Sequence, residues 1–150
     1  MNLKPLLENH VLWTAMVAWI LAQVLKIPFD YLRNREWDWA QFFAAGGMPS
    51  SHSALITSAT LGAGLHQGFD SPIFALGVAI SMIVIYDAAG VRRQAGIQAQ
   101  KINAMVAELL KGNPISEEQL REVIGHTPIE VASGVLLGLA VAFISWLIMK

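Results

Sequence analysis

The stretch VASGVLLGLAVAFISWLIM, residues 131–149, decides the class of fold, because it is a continuous apolar run without a single charge. A helix needs about 20 predominantly apolar residues to cross the hydrocarbon core of a bilayer. Three further apolar runs become long enough when their polar flanks are included, at about Pro5–Leu25, Ser51–Phe69 and Ser71–Val91. The sequence therefore predicts about four transmembrane helices.

The composition agrees with a chain that lies largely in lipid. Hydrophobic residues make up 55% of the 150 residues, charged residues only 14%, and the mean hydropathy is +0.50. The apolar runs do not alternate, and open sheet edges cannot be satisfied in lipid, so we expect an all-α, integral-membrane helical bundle in one domain, residues 1–150. A net charge of −1 argues against a nucleic-acid partner, and the absence of cysteine excludes a cysteine nucleophile and thiolate metal ligands.

A long polar segment separates the third predicted span from the fourth. Helical spacing separates the apolar residues Ile102, Met105, Val106, Leu109 and Leu110, and Gly112-Asn113-Pro114 then indicates a stop. Ser116-Glu117-Glu118-Gln119 is a capping-box pattern that predicts a second short helix. We expect a helical insert, which packs as a hairpin, lies on the membrane surface or covers a site.

Positive charge is distributed unevenly between the two sides of the predicted bundle. Eight of the 10 Lys and Arg residues fall in the loop Lys26–Ser51 or in the segment Val91–Gly125. The positive-inside rule places both segments in the cytoplasm and both termini across the membrane. We expect an integral protein of a bacterial inner (plasma) membrane.

Pro49-Ser50-Ser51-His52 lies directly before the second apolar run. Ordinary helix capping and an interfacial histidine explain this motif by itself. Alternatively, the free N–H groups of the helix start bind an anion, Ser50 and Ser51 add hydroxyl donors, and His52 donates a proton near neutral pH.

His126-Thr127-Pro128-Ile129-Glu130 opens the last run in a similar way. Thr127 and Glu130 form a capping box, which leaves His126 unexplained. Alternatively, Glu130 holds the imidazole of His126 in one tautomer and stabilises its cation, which makes the other ring nitrogen a nucleophile.

Four cationic side chains accompany these motifs, namely Lys26, Arg33, Arg92 and Arg93. By themselves they are ordinary membrane anchors with snorkelling side chains. Together with two helix starts and two histidines on one membrane face, they predict a site that binds and cleaves a phosphate ester.

These residues, taken in order, resemble the type 2 phosphatidic acid phosphatase and vanadium haloperoxidase superfamily, and specifically its short divergent membrane branch. The family pattern is Lys-x6-Arg-Pro, then Pro-Ser-Gly-His, then Ser-Arg-x5-His-x3-Asp. Lys26-x6-Arg33 matches the first element with Asn34 in place of proline, and Pro49-Ser50-Ser51-His52 matches the second with Ser51 in the glycine place. His126-x3-Glu130 matches the end of the third, with Arg92 or Arg93 as a displaced arginine.

The resemblance implies a role for each of these residues. His126 would attack phosphorus and form a phosphohistidine, Glu130 would orient it, and His52 would protonate the leaving alkoxide. The phosphoryl oxygens would be held by Lys26, Arg33, Ser50 or Ser51, and Arg92 or Arg93. No metal and no other cofactor is required, and a homodimer could complete a site that lacks two of the family's usual six helices.

Three classes of function follow. The first is a phosphatase for a lipid phosphate monoester or diphosphate. The second is an inactive membrane scaffold that binds phosphate lipids. The third is a small lipid or anion transporter, since interrupted apolar runs near membrane depth also suit transport.

Overall fold

The computed structural model describes residues 3–43, 46–109 and 126–149, and every regular element in these ranges is a helix. The predicted all-α bundle is therefore confirmed. The elements are α1 (Lys4–Leu7), α2 (His10–Asn34), a 3-10 turn (Trp39–Phe43), α3 (Ser51–Gln67), α4 (Pro72–Ala89), α5 (Val91–Leu109) and α6 (Pro128–Met149).

Among the described helices, α2, α4 and α6 are long and apolar enough to cross a membrane. The second predicted span corresponds to α3, which has 17 residues and lies at the centre of the bundle against α2, α4 and α6. The buried positions of α3 are all small or hydroxyl-bearing, such as Ser53, Ala54 and Gly62. Small residues let helix backbones approach closely, and this is how helices associate where lipid offers no hydrophobic driving force.

The backbones of α3 and α6 approach each other closely at two glycines. A Cβ atom at Gly134 would collide with the carbonyl oxygen of Ser50, and one at Gly138 would lie 2.5 Å from the carbonyl oxygen of Ala54. The matching advance of four residues on both helices means that α3 and α6 run parallel. The small-residue face Gly134-x3-Gly138-x3-Ala142 thus packs within the chain, and the homodimer stays a prediction that this face does not support.

Pairs of hydroxyl side chains connect α2 with α6 and α3 with α4. Thr14 of α2 and Ser145 of α6 share a hydrogen bond of 2.7 Å, and Thr60 of α3 and Ser81 of α4 share one of 2.9 Å. Thr14 lies near the start of α2 and Ser145 near the end of α6, so these helices are antiparallel. The second half of α2 consequently lies beside the starts of α3 and α6.

The first helix of the predicted insert is confirmed as α5, which packs against α4. The second insert helix, at Ser116-Glu117-Glu118-Gln119, falls in residues 110–125, outside the described part of the chain. The assignment of residues 1–150 to one domain stays a prediction.

Candidate active site

The start of α3 is a capped helix end. Ser50 is the N-cap, and its Oγ accepts hydrogen bonds from the backbone N–H of Ser53 at 3.4 Å and from the Ser53 hydroxyl at 3.0 Å. Both Ser50 and Ser51 are fully buried, whereas His52, the second residue of the helix, is exposed. The capping interpretation therefore accounts for the Ser50 hydroxyl.

The start of α6 forms the predicted capping box and also brings Glu130 close to His126. Glu130 Oε2 accepts the backbone N–H of Thr127 at 2.9 Å, and Thr127 Oγ1 accepts the N–H of Glu130 at 3.4 Å, which completes a capping box. The same Oε2 atom lies 3.4 Å from His126 Nδ1. One carboxylate oxygen thus serves the helix cap and faces the imidazole.

His126 is only 2% exposed, and neither of its ring nitrogens makes a hydrogen bond to the described residues. Buried polar atoms are normally paired with protein or water, and an unpaired one costs stability. Nδ1 has the Glu130 carboxylate within ion-pair distance, at 3.4 Å. Nε2 has no such partner among these residues, so it is the ring nitrogen that remains for a ligand to bond.

A backbone hydrogen bond joins the two histidine motifs. The N–H of Ser50 donates to the carbonyl oxygen of Glu130 at 2.9 Å, next to the close contact between Ser50 and Gly134. The N-termini of two parallel helices therefore lie side by side. The positive ends of their dipoles favour a bound anion at this end of the bundle.

Lys26 and Arg33 lie on one helix, as their spacing predicted, because α2 continues through Pro28 to Asn34. Lys26 is 1% exposed and Arg33 is exposed. Both line a cavity of about 260 Å³, the basic cavity, whose other polar lining comes from Asp30, Gln41, Thr127 and Glu130. The opposite charge of Glu130 acts on the buried ammonium of Lys26.

The two histidines line a second cavity, of about 210 Å³, which we call the histidine cavity. Its walls are completed by Ile83, Val84, Asp87 and Ala88 of α4. His126 immediately precedes Thr127, which lines the basic cavity. The residues that open α6 therefore contribute to both cavities, with His126 in the histidine cavity and Thr127, Ile129 and Glu130 in the basic cavity.

Neighbouring charged groups also act on the pKa of His126. Burial is the main cause that lowers the pKa of His126 below its ordinary value, and the Glu130 carboxylate opposes this shift. The positive charges of Lys26 and His52 lower the pKa of His126 further. The imidazole is thus held neutral, the form that can act as a nucleophile.

The predicted site residues are brought together in part. His52, His126, Glu130, Lys26 and Arg33 all line one of the two cavities at the same end of the bundle. The two serines, Ser50 and Ser51, line neither cavity.

The backbones of Arg92 and Arg93 lie in the first turn of α5, just after the stretch of α4 that lines the histidine cavity, and their side chains lie outside the described part of the chain. The proposed phosphate contacts of the serines and of these two arginines stay predictions.

Asp87 is a residue of the histidine cavity that sequence reasoning did not assign to the site. It lies near the end of α4, after a long apolar run. A carboxylate at that position is costly unless it faces the bundle interior or a wet cavity, and this could have identified it. Within the described ranges, no cluster of three His, Asp or Glu side chains is placed to hold a metal ion.

Comparison with known proteins identifies the family of the chain. The Divergent PAP2 family matches residues 7–141, which include both histidine motifs. The chain is also 39% identical over 150 residues to the "Uncharacterized membrane protein YuiD" of Bacillus subtilis (strain 168), covering 93% of this chain and 95% of that protein. No solved structure matches the chain. With three helices suited to a bilayer it is an integral membrane protein, and the resemblance seen in its motifs is confirmed: the chain belongs to the divergent PAP2 family.

Proposed function

We propose that this protein is a membrane phosphatase that hydrolyses a lipid phosphate monoester or diphosphate through a phosphohistidine. The observation that carries the proposal is the environment of His126. Its imidazole is buried, faces Glu130 through Nδ1 at 3.4 Å, and lines a cavity together with His52. A carboxylate on one ring nitrogen activates the other as a nucleophile and stabilises the cation that forms. Membership of the family supports a phosphatase-like protein.

The reaction has two steps. In the first, His126 Nε2 bonds to phosphorus as the ester P–O bond breaks, and protonated His52 gives its proton to the leaving alkoxide. In the second, His52 takes a proton from water, whose oxygen bonds to phosphorus as the P–N bond breaks. Inorganic phosphate and free His126 result.

The developing negative charge is stabilised by the cations of the basic cavity, of which Lys26 lies near enough for its charge to act on His126. Lys26 and Arg33 of the basic cavity hold the phosphoryl oxygens, and the further proposed ligands are Ser50 or Ser51 and Arg92 or Arg93. The two helix N-termini add their dipoles. Since these groups supply positive charge, the proposed chemistry does not require a metal.

Phosphate release from phosphatidate by the purified, detergent-solubilised full chain tests the proposal. We expect release to continue in excess chelator and to be inhibited by vanadate, which would occupy the phosphate site. His126→Ala, purified in the same way, is the matched control and should release no phosphate. A strict Mg²⁺ requirement for turnover would contradict the mechanism.

A second candidate function is phosphate-lipid binding without turnover. One observation favours it: Lys26 and Arg33 line a different cavity from the two histidines. Binding of the protein to phosphatidate-containing vesicles without any phosphate release would identify this function. In that case Lys26→Ala should reduce binding, whereas His126→Ala should not.

We further propose that the site faces the cytoplasm, as the distribution of Lys and Arg indicates. The substrate would then come from the inner leaflet. Single cysteines introduced into this cysteine-free chain test the orientation, because Ala40 and Gln67 are exposed and lie at opposite ends of the bundle. In intact cells an impermeant thiol reagent should label Gln67→Cys and should label Ala40→Cys only after lysis. The reverse pattern would place the site outside.

A further inference from the structure

The histidine cavity contains a carboxylate to which the two-step reaction gives no role. Asp87, near the end of α4, lines this cavity together with His52 and His126, and it is the only acidic side chain among the described lining residues. It is half-buried. A carboxylate after a long apolar run is costly unless polar or charged groups stabilise it, so the groups that share its cavity indicate its role.

Asp87 and His52 lie at the same level of two neighbouring helices. A short loop, residues 68–71, joins α3 to α4, and the two helices run antiparallel. A hydrogen bond of 2.9 Å between Thr60 of α3 and Ser81 of α4 fixes their register. His52 lies about 12 Å before Thr60 along α3, and Asp87 lies about 9 Å after Ser81 along α4. The imidazole and the carboxylate therefore reach the histidine cavity from facing helices.

Three long helices pack against α3, and each brings charged or titratable groups to the end where α3 begins. These groups are Lys26 of α2, Asp87 of α4, and His126 with Glu130 at the start of α6. Positive charge on Lys26 or His126 disfavours a further cation at His52, whereas a carboxylate favours one. Glu130 caps α6 and faces the ring of His126 at 3.4 Å. Asp87 is thus the carboxylate placed to stabilise a cation at His52.

We propose that Asp87 is the positioning residue of His52, which orients the imidazole and stabilises its protonated form. In the first step the imidazolium of His52 gives a proton to the leaving alkoxide and becomes neutral, and in the second step it regains a proton from water. Asp87 keeps its negative charge throughout. Each histidine then has its own carboxylate, Glu130 for the nucleophile and Asp87 for the acid. This inference rests on the proposed function.

Asp87→Asn keeps the size of the side chain and removes its charge. We expect kcat/KM for phosphatidate to fall by about 10- to 100-fold, with a much smaller loss on p-nitrophenyl phosphate, whose leaving group needs no proton. In a His52→Ala background the same change should add little, because the two residues act through one proton transfer. Asp87→Glu restores the charge and should recover most of the activity.

The matched control is Asp70→Asn, which removes an exposed carboxylate from the loop at the opposite end of the bundle. It should hydrolyse both substrates at the wild-type rate. If Asp87→Asn lowers hydrolysis of both substrates equally, or adds its full loss to that of His52→Ala, Asp87 has a structural role and the inference is overturned.

A measurement without substrate separates failure of this inference from failure of the phosphatase proposal. Diethyl pyrocarbonate modifies only the neutral form of imidazole, and mass spectrometry of the detergent-solubilised full chain locates the modified histidines. At pH 6, His52 should be modified about 3- to 10-fold faster in Asp87→Asn than in the wild type. His66, exposed at the opposite end of α3, is the internal reference and should not change.

An unchanged rate at His52 would overturn the inference, even if the protein hydrolyses phosphatidate. A faster rate at His52 in a protein that hydrolyses no phosphate ester would refute the phosphatase and retain the pairing of Asp87 with His52.

Discussion

Two helices of this bundle begin at the same place with the same kinds of residue, yet they present their histidines differently. At the start of α3, the capping Ser50 is buried and His52 is exposed. At the start of α6, the capping Thr127 is half-buried, His126 is 2% exposed, and a carboxylate lies 3.4 Å from its ring.

This difference separates two kinds of histidine chemistry. A buried imidazole beside a carboxylate is held in one orientation and kept neutral, which suits a nucleophile. An exposed imidazole exchanges protons freely with water, which suits a general acid and base. The comparison therefore predicts that the two histidines have unequal roles.

The largest expected effect is that of His126→Ala. Turnover of phosphatidate should fall by more than about 10³-fold, because the proposed nucleophile is lost. Acid-quenched protein should also carry no labile label from ³²P-phosphatidate, while the wild type does. Retention of label in His126→Ala would show that another residue is the nucleophile.

His52→Ala should slow phosphatidate hydrolysis by about 10²- to 10⁴-fold, the usual contribution of general acid-base catalysis. The loss should be much smaller with p-nitrophenyl phosphate, because its leaving group needs no proton. Comparing the two substrates in parallel measures this difference. Equal losses on both would mean that His52 does not protonate the leaving group.

Glu130→Gln distinguishes helix capping from orientation of His126. Glutamine also completes a capping box, so the thermal stability should change little. Loss of the negative charge opposite the imidazole should nevertheless lower kcat/KM by about 10- to 100-fold, which corresponds to about 1.5–3 kcal/mol for an interaction with a charged group. Wild-type activity in Glu130→Gln would leave Glu130 with the capping role alone.

The smallest effect is a shift in pH dependence. Because burial lowers the pKa of His126, the nucleophile stays neutral and activity should persist until the pH falls below the ordinary histidine value. Glu130 raises the pKa of His126, so in Glu130→Gln the acid limb of kcat/KM should move to still lower pH. Profiles of both proteins in one buffer series test this, and an upward shift would contradict the assigned environment.

Much of the fold could be predicted from the sequence because its signals are local. The uncharged run Val131–Met149 predicts a membrane helix by length alone, and α6 contains it. The spacing of Thr127 and Glu130 predicts a capping box, which forms as expected. Hydropathy could not predict that α3 is the central helix, because small polar residues make a helix look less apolar whether it faces lipid or other helices.

The sequence by itself determined the helical class, the order of the motifs and the two capped helix starts, because each depends on residues within a turn or two of one another. Only the tertiary structure decided that the Ser50 N–H donates a hydrogen bond to the Glu130 carbonyl oxygen. It also decided that Asp87 lines one cavity with the two histidines. It also decided that the cations and the histidines line separate cavities. These contacts join residues far apart in the chain, and they depend on how closely α3 and α6 approach at Gly134 and Gly138.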